Sequence, residues 1–257
     1  MTANGVCETG RMPLKACING ARRPSEHAAL PVSAEQAATE ALAVLSAGAD
    51  GVHLHVKDEH GADTLAAQPL ALVLDAVSDK APNLPIGVTT GAWALPDPAA
   101  RIAAIRSWDK RPDFASVNWH EDGADEVARA LLDLGVEVEA GLWHEAAVDR
   151  WARSPVRDDC VRVLLELPDG PGPSATVAMA RQLLARVRPV TGDRIPVLLH
   201  GEGSSCWPAL KEAARLGLPT RIGLEDTLVL PDGSPAPDNA ALVHAALRLI
   251  DAERSLG

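Results

Sequence analysis

Tyrosine is absent from the chain and phenylalanine occurs once, so aliphatic side chains and alanine must build the core, with six tryptophans beside them. Cysteine is scarce: Cys7, Cys17, Cys160 and Cys206 are the four in 257 residues, and no two form a CxxC pair. That spacing argues against a zinc ribbon or a thioredoxin-type motif. Four such thiols read as reduced cysteines of a cytoplasmic protein. No apolar run reaches the roughly 18 residues of a membrane span. The opening MTANGVCETGRMPLK lacks the apolar stretch of a secretory signal. Basic residues are outnumbered, 24 Lys and Arg against 35 Asp and Glu, for a net charge of −11. Nucleic acid is therefore a poor partner, because phosphate contacts need clustered cations, and no membrane partner is expected. A hydrophobic content of 47% excludes a disordered chain.

What is present is a beat. Short β-leaning apolar runs fall at 14–19, 51–56, 84–90, 113–118, 136–142, 161–167, 195–200 and 220–224. Ala/Leu-rich runs of helical period alternate with them at 34–47, 67–78, 98–107, 124–134, 144–153, 175–188, 207–216 and 239–253. Ser33 and Gln36 form a capping box, and Gly48, Gly135 and Gly217 stand where helices end. The strands are apolar on both faces, as parallel strands covered by helices must be. Eight βα units predict a single-domain α/β chain, a (β/α)8 TIM barrel, with about residues 1–12 as an N-terminal extension. An open doubly wound sheet is the competing fold, but no GxGxxG follows the first strand.

A barrel places its chemistry at the C-terminal ends of the strands. In GVHLHVKD, His53 and His55 are two apart and face the lumen together. Two such imidazoles can hold one metal. Glu225, just past strand eight, can reach them across the mouth and complete a His2Glu set with an open position, the pattern of catalytic zinc. Asp226 adjoins it. The Thr89 and Thr90 hydroxyls and the Gly91 amide can hold an anion. Ser116 and Asn118 share the lumen face of strand four. Glu137 and Glu139 share a face in strand five, and both are expected inside the barrel, where a buried carboxylate needs a cation. Strand six ends at Glu166. HGEGSS, after strand seven, offers backbone amides to a phosphate. Arg22 supplies a cation at the mouth.

The pieces INGARRP, PVSAEQ, AGADGVHLHVKD, VTTGAW, FASVN, VEVEAGLW and TRIGLEDTL, in that order, resemble the β-keto acid cleavage enzymes. The resemblance implies a zinc-dependent TIM barrel that condenses a β-keto acid with acetyl-CoA, giving acetoacetate and a new acyl-CoA. It implies one Zn2+ per chain on His53, His55 and Glu225. Asp226 and Arg221 match the pair that abstracts a proton next to the ketone, and Glu139 matches a further active-site carboxylate. Thr89 and Ser116 match the hydroxyls that hold the substrate carboxylate, with Asn118 close by. It also implies a homo-oligomer, a tetramer or dimer. Arg22 departs from the family member that cleaves 3-keto-5-aminohexanoate, which carries glutamate there; the reversal predicts an acidic or neutral substrate tail. A metal-dependent barrel lyase or aldolase that uses no CoA is the alternative, and a non-catalytic binding barrel the third.

Overall fold

The structure, a computed structural model, describes residues 13–255. The expected extension over about residues 1–12, with Cys7, lies outside the described residues. Eight strands alternate with eight helices among the described residues: β1 Leu14–Cys17, α1 Ala34–Ala47, β2 Gly51–Leu54, α2 Ala67–Lys80, β3 Ile86–Thr89, α3 Pro98–Arg106, β4 Phe114–Asn118, α4 Ala124–Asp133, β5 Glu137–Leu142, α5 Glu145–Ala152, β6 Arg162–Leu167, α6 Pro173–Thr191, β7 Val197–Gly201, α7 Cys206–Leu216, β8 Thr220–Ile222 and α8 Asn239–Arg254. The strands pair in parallel in the order β7-β6-β5-β4-β3-β2-β1-β8. Two bonds draw the ends of that sheet together: the Leu199 amide donates to the Pro219 carbonyl (3.0 Å), and the Thr220 hydroxyl to the Leu199 carbonyl (2.7 Å). The result is a nearly closed (β/α)8 TIM barrel.

Local chemistry sets the element ends. Ser33 and Gln36 make the reciprocal capping box of α1, and Gly48 closes that helix at φ 104°. α6 runs further than its apolar period suggested. Pro173 fits its first turn, where an amide would have no partner. At its other end the Gly192 amide still donates to the Arg188 carbonyl (2.9 Å) past Pro189.

Outward strand residues such as Val52 and Leu54 pack against alanine-rich helix faces such as Ala37, Ala38 and Ala41. Trp119 and Trp151 are the largest fully buried side chains and fill the space other aromatics would take. Cys17, Cys160 and Cys206 are buried free thiols. No helix among the described residues is long and apolar enough to cross a membrane.

The N-terminal end of the barrel is plugged by charge. Glu139 is fully buried between Lys15 Nζ (2.5 Å) and Arg162 Nε (3.0 Å). The single phenylalanine, Phe114, lies under both cations, at 5.2 Å from Lys15 Nζ and 5.8 Å from the Arg162 guanidinium carbon. Its ring fits only because position 87 has no side chain, since a Cβ there would fall 1.8 Å from Phe114 Cε2. Glu137 does not enter the barrel as the alternation suggested. It is the exposed first residue of β5, at the open bottom edge.

Candidate active site

His53 and His55 come to the mouth on and just beyond β2. Glu225 comes from the turn after β8, where its amide donates to the Cys17 carbonyl of β1 (3.1 Å). Gly20 makes that approach possible: its φ is +60°, and a Cβ on it would stand 2.5 Å from Glu225 Cγ. Glu225 Oε2 lies 3.9 Å from His53 Nε2 and 3.9 Å from His55 Nε2. The three ligand atoms all lie within 4.8 Å of one another.

The neighbours prepare these groups for a cation. Arg221 Nη2 donates to Glu225 Oε1 (2.9 Å), leaving Oε2 buried without a partner. His55 Nδ1 sits 2.7 Å from Asp63 Oδ2, which fixes the proton there and turns the Nε2 lone pair inward. Asp63 Oδ1 is in turn held by Lys57 Nζ (2.6 Å). Trp93 stacks on His55 (5.7 Å, 11°) and donates its indole N–H to Asp63 Oδ2 (2.9 Å). Burial, with Lys15 and His55 nearby, pushes His53 well below the usual histidine value, so it is neutral and free to ligate. Two imidazoles, a carboxylate with an orphaned oxygen and an open side fit a catalytic divalent ion.

Arg221 also grips Asp226 Oδ1 through Nε (3.1 Å) and Nη2 (2.8 Å), and Asp226 Oδ2 is left without a partner. Burial pushes Asp226 up to about 8 against the pull of Arg221. Burial raises Glu225 as well, but Arg221 and His55 hold it below the usual carboxylate range.

These groups face a cavity of ≈ 360 Å³. Arg22, His53, His55, Thr89, Ser116, Asn118, Arg221 and Glu225 all line it, and so do Trp93, Trp143, Glu26, Glu166 and Glu202. Thr90, Glu139 and Asp226 do not. The Thr90 hydroxyl is engaged with the Ser116 carbonyl (2.7 Å), tying β3 to β4. Glu139 is in the plug near the opposite end, and Asp226 lies behind Arg221. Thr89 Oγ1 accepts the Gly91 amide (3.1 Å), so that amide is already taken while the hydroxyl hydrogen remains available. Arg22 reaches the wall, but its guanidinium donates to the carbonyls of Leu224 (2.5 Å) and Glu225 (3.2 Å) and to Glu26 (3.1 Å). It steadies the turn that carries Glu225.

Asn118 is oriented by two opposed neighbours. Its Nδ2 donates to Glu121 Oε1 (3.0 Å), and its Oδ1 accepts the Trp143 indole N–H (3.2 Å). Glu121 also accepts the Ala92 amide (2.9 Å) and pairs with buried Arg101. The amides of HGEGSS are not open to phosphate: Gly203 donates to the Asp226 carbonyl, Ser204 to Asp169 Oδ1 and Ser205 to the Glu202 carbonyl. The Asp169 carboxylate occupies the place an anion would take.

Sequence reasoning missed Asp63, Glu121, Trp93, Trp143 and Lys15. Lys15 was readable, because it shares a strand face with Cys17 and with Asn19, whose side chain bonds the His55 backbone (2.8 and 2.9 Å). The others sit in loops whose path no periodicity describes.

The sequence pattern of the beta-keto acid cleavage enzymes matches residues 12–254. The 3-keto-5-aminohexanoate cleavage enzyme of Acetoanaerobium sticklandii is 23% identical over 256 residues, covering 93% of this chain and 91% of that protein. The enzyme of the same name from Fusobacterium nucleatum is 24% identical over 258 residues, with 93% and 91% covered. Among solved structures, ObcA in binary complex with oxaloacetate shares the fold at a TM-score of 0.66 and 20% identity; the match covers 85% of this chain but 63% of ObcA. ObcA in ternary complex with a C4-CoA adduct and oxalate matches at 0.65 and 19%, covering 87% and 64%. On the match over nearly its whole length, this chain belongs to the β-keto acid cleavage enzyme family.

Proposed function

We propose that the protein condenses a β-keto acid with acetyl-CoA, giving acetoacetate and a new acyl-CoA, with one zinc ion on His53, His55 and Glu225. The observation that carries the reading is the orphaned Glu225 Oε2 between two imidazole nitrogens, beside the Arg221–Asp226 pair. Bound there, zinc supplies Lewis-acid charge next to the keto group. Thr89 and Ser116 offer hydroxyl donors to the substrate carboxylate. Arg221, which lines the cavity, stands between the substrate and buried Asp226, and the Arg221–Asp226 pair removes the proton between carboxylate and ketone. Arg221 donates to Oδ1 through Nε and Nη2, so a proton taken up by its guanidinium is matched by one passed to Asp226, and a value near 8 suits a base working close to neutrality. The pair returns that proton to the acetoacetate carbon at the end. Glu139 supports the barrel beneath the site without touching substrate, Thr90 fixes the Ser116 backbone, and Arg22 fixes the Glu225 turn. Because Arg22 is so engaged, it does not offer its charge to the substrate tail.

The relatives' chemistry supports the reading. ObcA forms complexes with oxaloacetate, itself a β-keto acid, and with a CoA adduct. The test is acetoacetate formation by the zinc-loaded protein across a panel of β-keto acids, with and without acetyl-CoA and chelator. Acetoacetate that needs both acetyl-CoA and the metal is the expected result. Cleavage without CoA would instead mark a lyase, and chelator-insensitive turnover would remove zinc from the scheme.

A further inference from the structure

The cavity is polarised in a way the reaction does not use. Hydroxyl donors, Thr89 and Ser116, stand on its β3–β4 side. The β5–β7 side carries acceptors with nothing to accept. Glu166, at the end of β6, is 5% exposed and accepts no hydrogen bond among the described residues. The nitrogens facing its carboxylate are His200 Nε2 at 3.5 Å and Arg221 Nη2 at 4.0 Å. Arg221 is already committed to Glu225 and Asp226. His200 is buried with both ring nitrogens unpartnered, and burial beside Arg221 keeps it well below the usual histidine value, so it brings no charge.

Asn118, at the end of β4, turns a second oxygen the same way: Oδ1 accepts the Trp143 indole N–H (3.2 Å) and keeps a lone pair for one more donor. Its amide nitrogen is turned to Glu121, so its oxygen faces Glu166. A Cβ on Gly141 would fall 2.4 Å from Asn118 Oδ1 and 2.8 Å from Glu166 Oε1; the two oxygens crowd one point over bare backbone. Glu202, past β7, lines the same wall. Burial lifts both carboxyls, Glu202 to about 7, with Arg221 pulling the other way. Buried acceptors without donors are costly, and a ligand that brings the donor is favoured.

We infer that Glu166, Asn118 Oδ1 and Glu202 receive a hydrogen-bond-donating group, hydroxyl or ammonium, on the tail of the β-keto acid, and that they reject a tail ending in carboxylate. This rests on the β-keto acid reading above. It replaces the tail preference that Arg22 alone suggested.

The test compares β-keto acids of equal length whose tails end in methyl, hydroxyl, ammonium or carboxylate. In the wild type, a donor-ended tail should exceed the methyl and carboxylate tails in kcat/KM by about 10- to 100-fold, as sites built to hydrogen-bond a substrate discriminate. Glu166→Gln should lower the ammonium-to-methyl ratio by about tenfold or more, because a neutral amide replaces the carboxyl. Glu202→Gln, at a less buried position, should lower it in the same direction and guards against a folding defect in the first variant. Binding without acetyl-CoA, read by the fluorescence of Trp93 and Trp143 in the cavity wall, should show the same change in Kd ratio. Ammonium above hydroxyl would assign charge pairing, and hydroxyl above ammonium a neutral bond. A wild-type preference for methyl or carboxylate, or ratios unmoved in both variants, would overturn the inference while leaving the reaction intact. Failure of every member to yield acetoacetate would overturn the reaction and this inference with it.

Discussion

The two ends of the barrel bury charge for opposite reasons. Near the bottom, Glu139 sits between Lys15 and Arg162 with Phe114 beneath, and each charge meets its opposite within 3.0 Å. At the mouth, Glu225 Oε2, Asp226 Oδ2, His53 Nδ1 and both nitrogens of His200 are buried without partners. The bottom cluster is paired charge to charge, with Glu139 Oε1 meeting Arg162 as an ion pair without a hydrogen bond, and it holds the structure. An unsatisfied one is stable only if something completes it, and that is what a binding site for a cation and a polar substrate requires. Removing a group should therefore cost function at the mouth and stability near the bottom.

The largest effect is expected at the mouth. His53→Ala should lose the metal, measured by elemental analysis, and turnover should fall on the order of 10³-fold or more, since several kcal/mol of charge stabilisation leave with the ion. Its melting curve in chelator should stay close to that of the wild type; a large loss of stability there would erase the contrast between the ends. Asp226→Asn should keep one metal per chain and lower kcat by about 10²–10⁴-fold, the usual worth of a proton-transfer group. Retained turnover would reject Asp226 as the base.

Glu139→Gln probes the bottom. It strands Lys15 and Arg162, and breaking a buried pair costs about 3–5 kcal/mol, a melting point lower by roughly 10 °C in a chain this long. Metal content should not change. Burial pushes the Glu139 carboxyl up, but Lys15 and then Arg162 outweigh it and hold the group below its usual range. Its folded value therefore lies below its unfolded one. The stabilisation is complete above the unfolded value and is lost as pH falls through the folded one. The gap between wild type and variant should close in acid; a gap that widened there would refute the ion-pair account.

The smallest effect sharpens the mouth. Asp63→Asn removes the carboxylate that orients His55 and should weaken metal affinity by about 10- to 100-fold without abolishing the site. It should also shift Trp93 fluorescence, because the indole N–H loses its charged acceptor.

Much of this architecture was legible in the sequence. Parallel strands need apolar side chains on both faces and their helices a repeating apolar stripe, so the alternation of runs named the barrel. The same period-two geometry put His53 and His55 together, and strand order brought Glu225 toward them. It failed where backbone leaves regular geometry. Glu137 and Glu139 share a face by alternation, yet one opens to solvent because the strand begins there. Arg22 lay correctly at the mouth, but its partners are carbonyls 202 and 203 positions away. Asp63, Glu121 and Trp93 act from loops.

The sequence by itself thus determined the fold class and the gathering of His53, His55 and Glu225 at one mouth of the barrel, because each follows from a local repeat and strand order. The tertiary structure alone decided which buried charges are paired and which are left open. That distinction depends on distances of a few tenths of an ångström between side chains on different strands. At the mouth it separates an engaged arginine, Arg22, from an available carboxyl, Glu166.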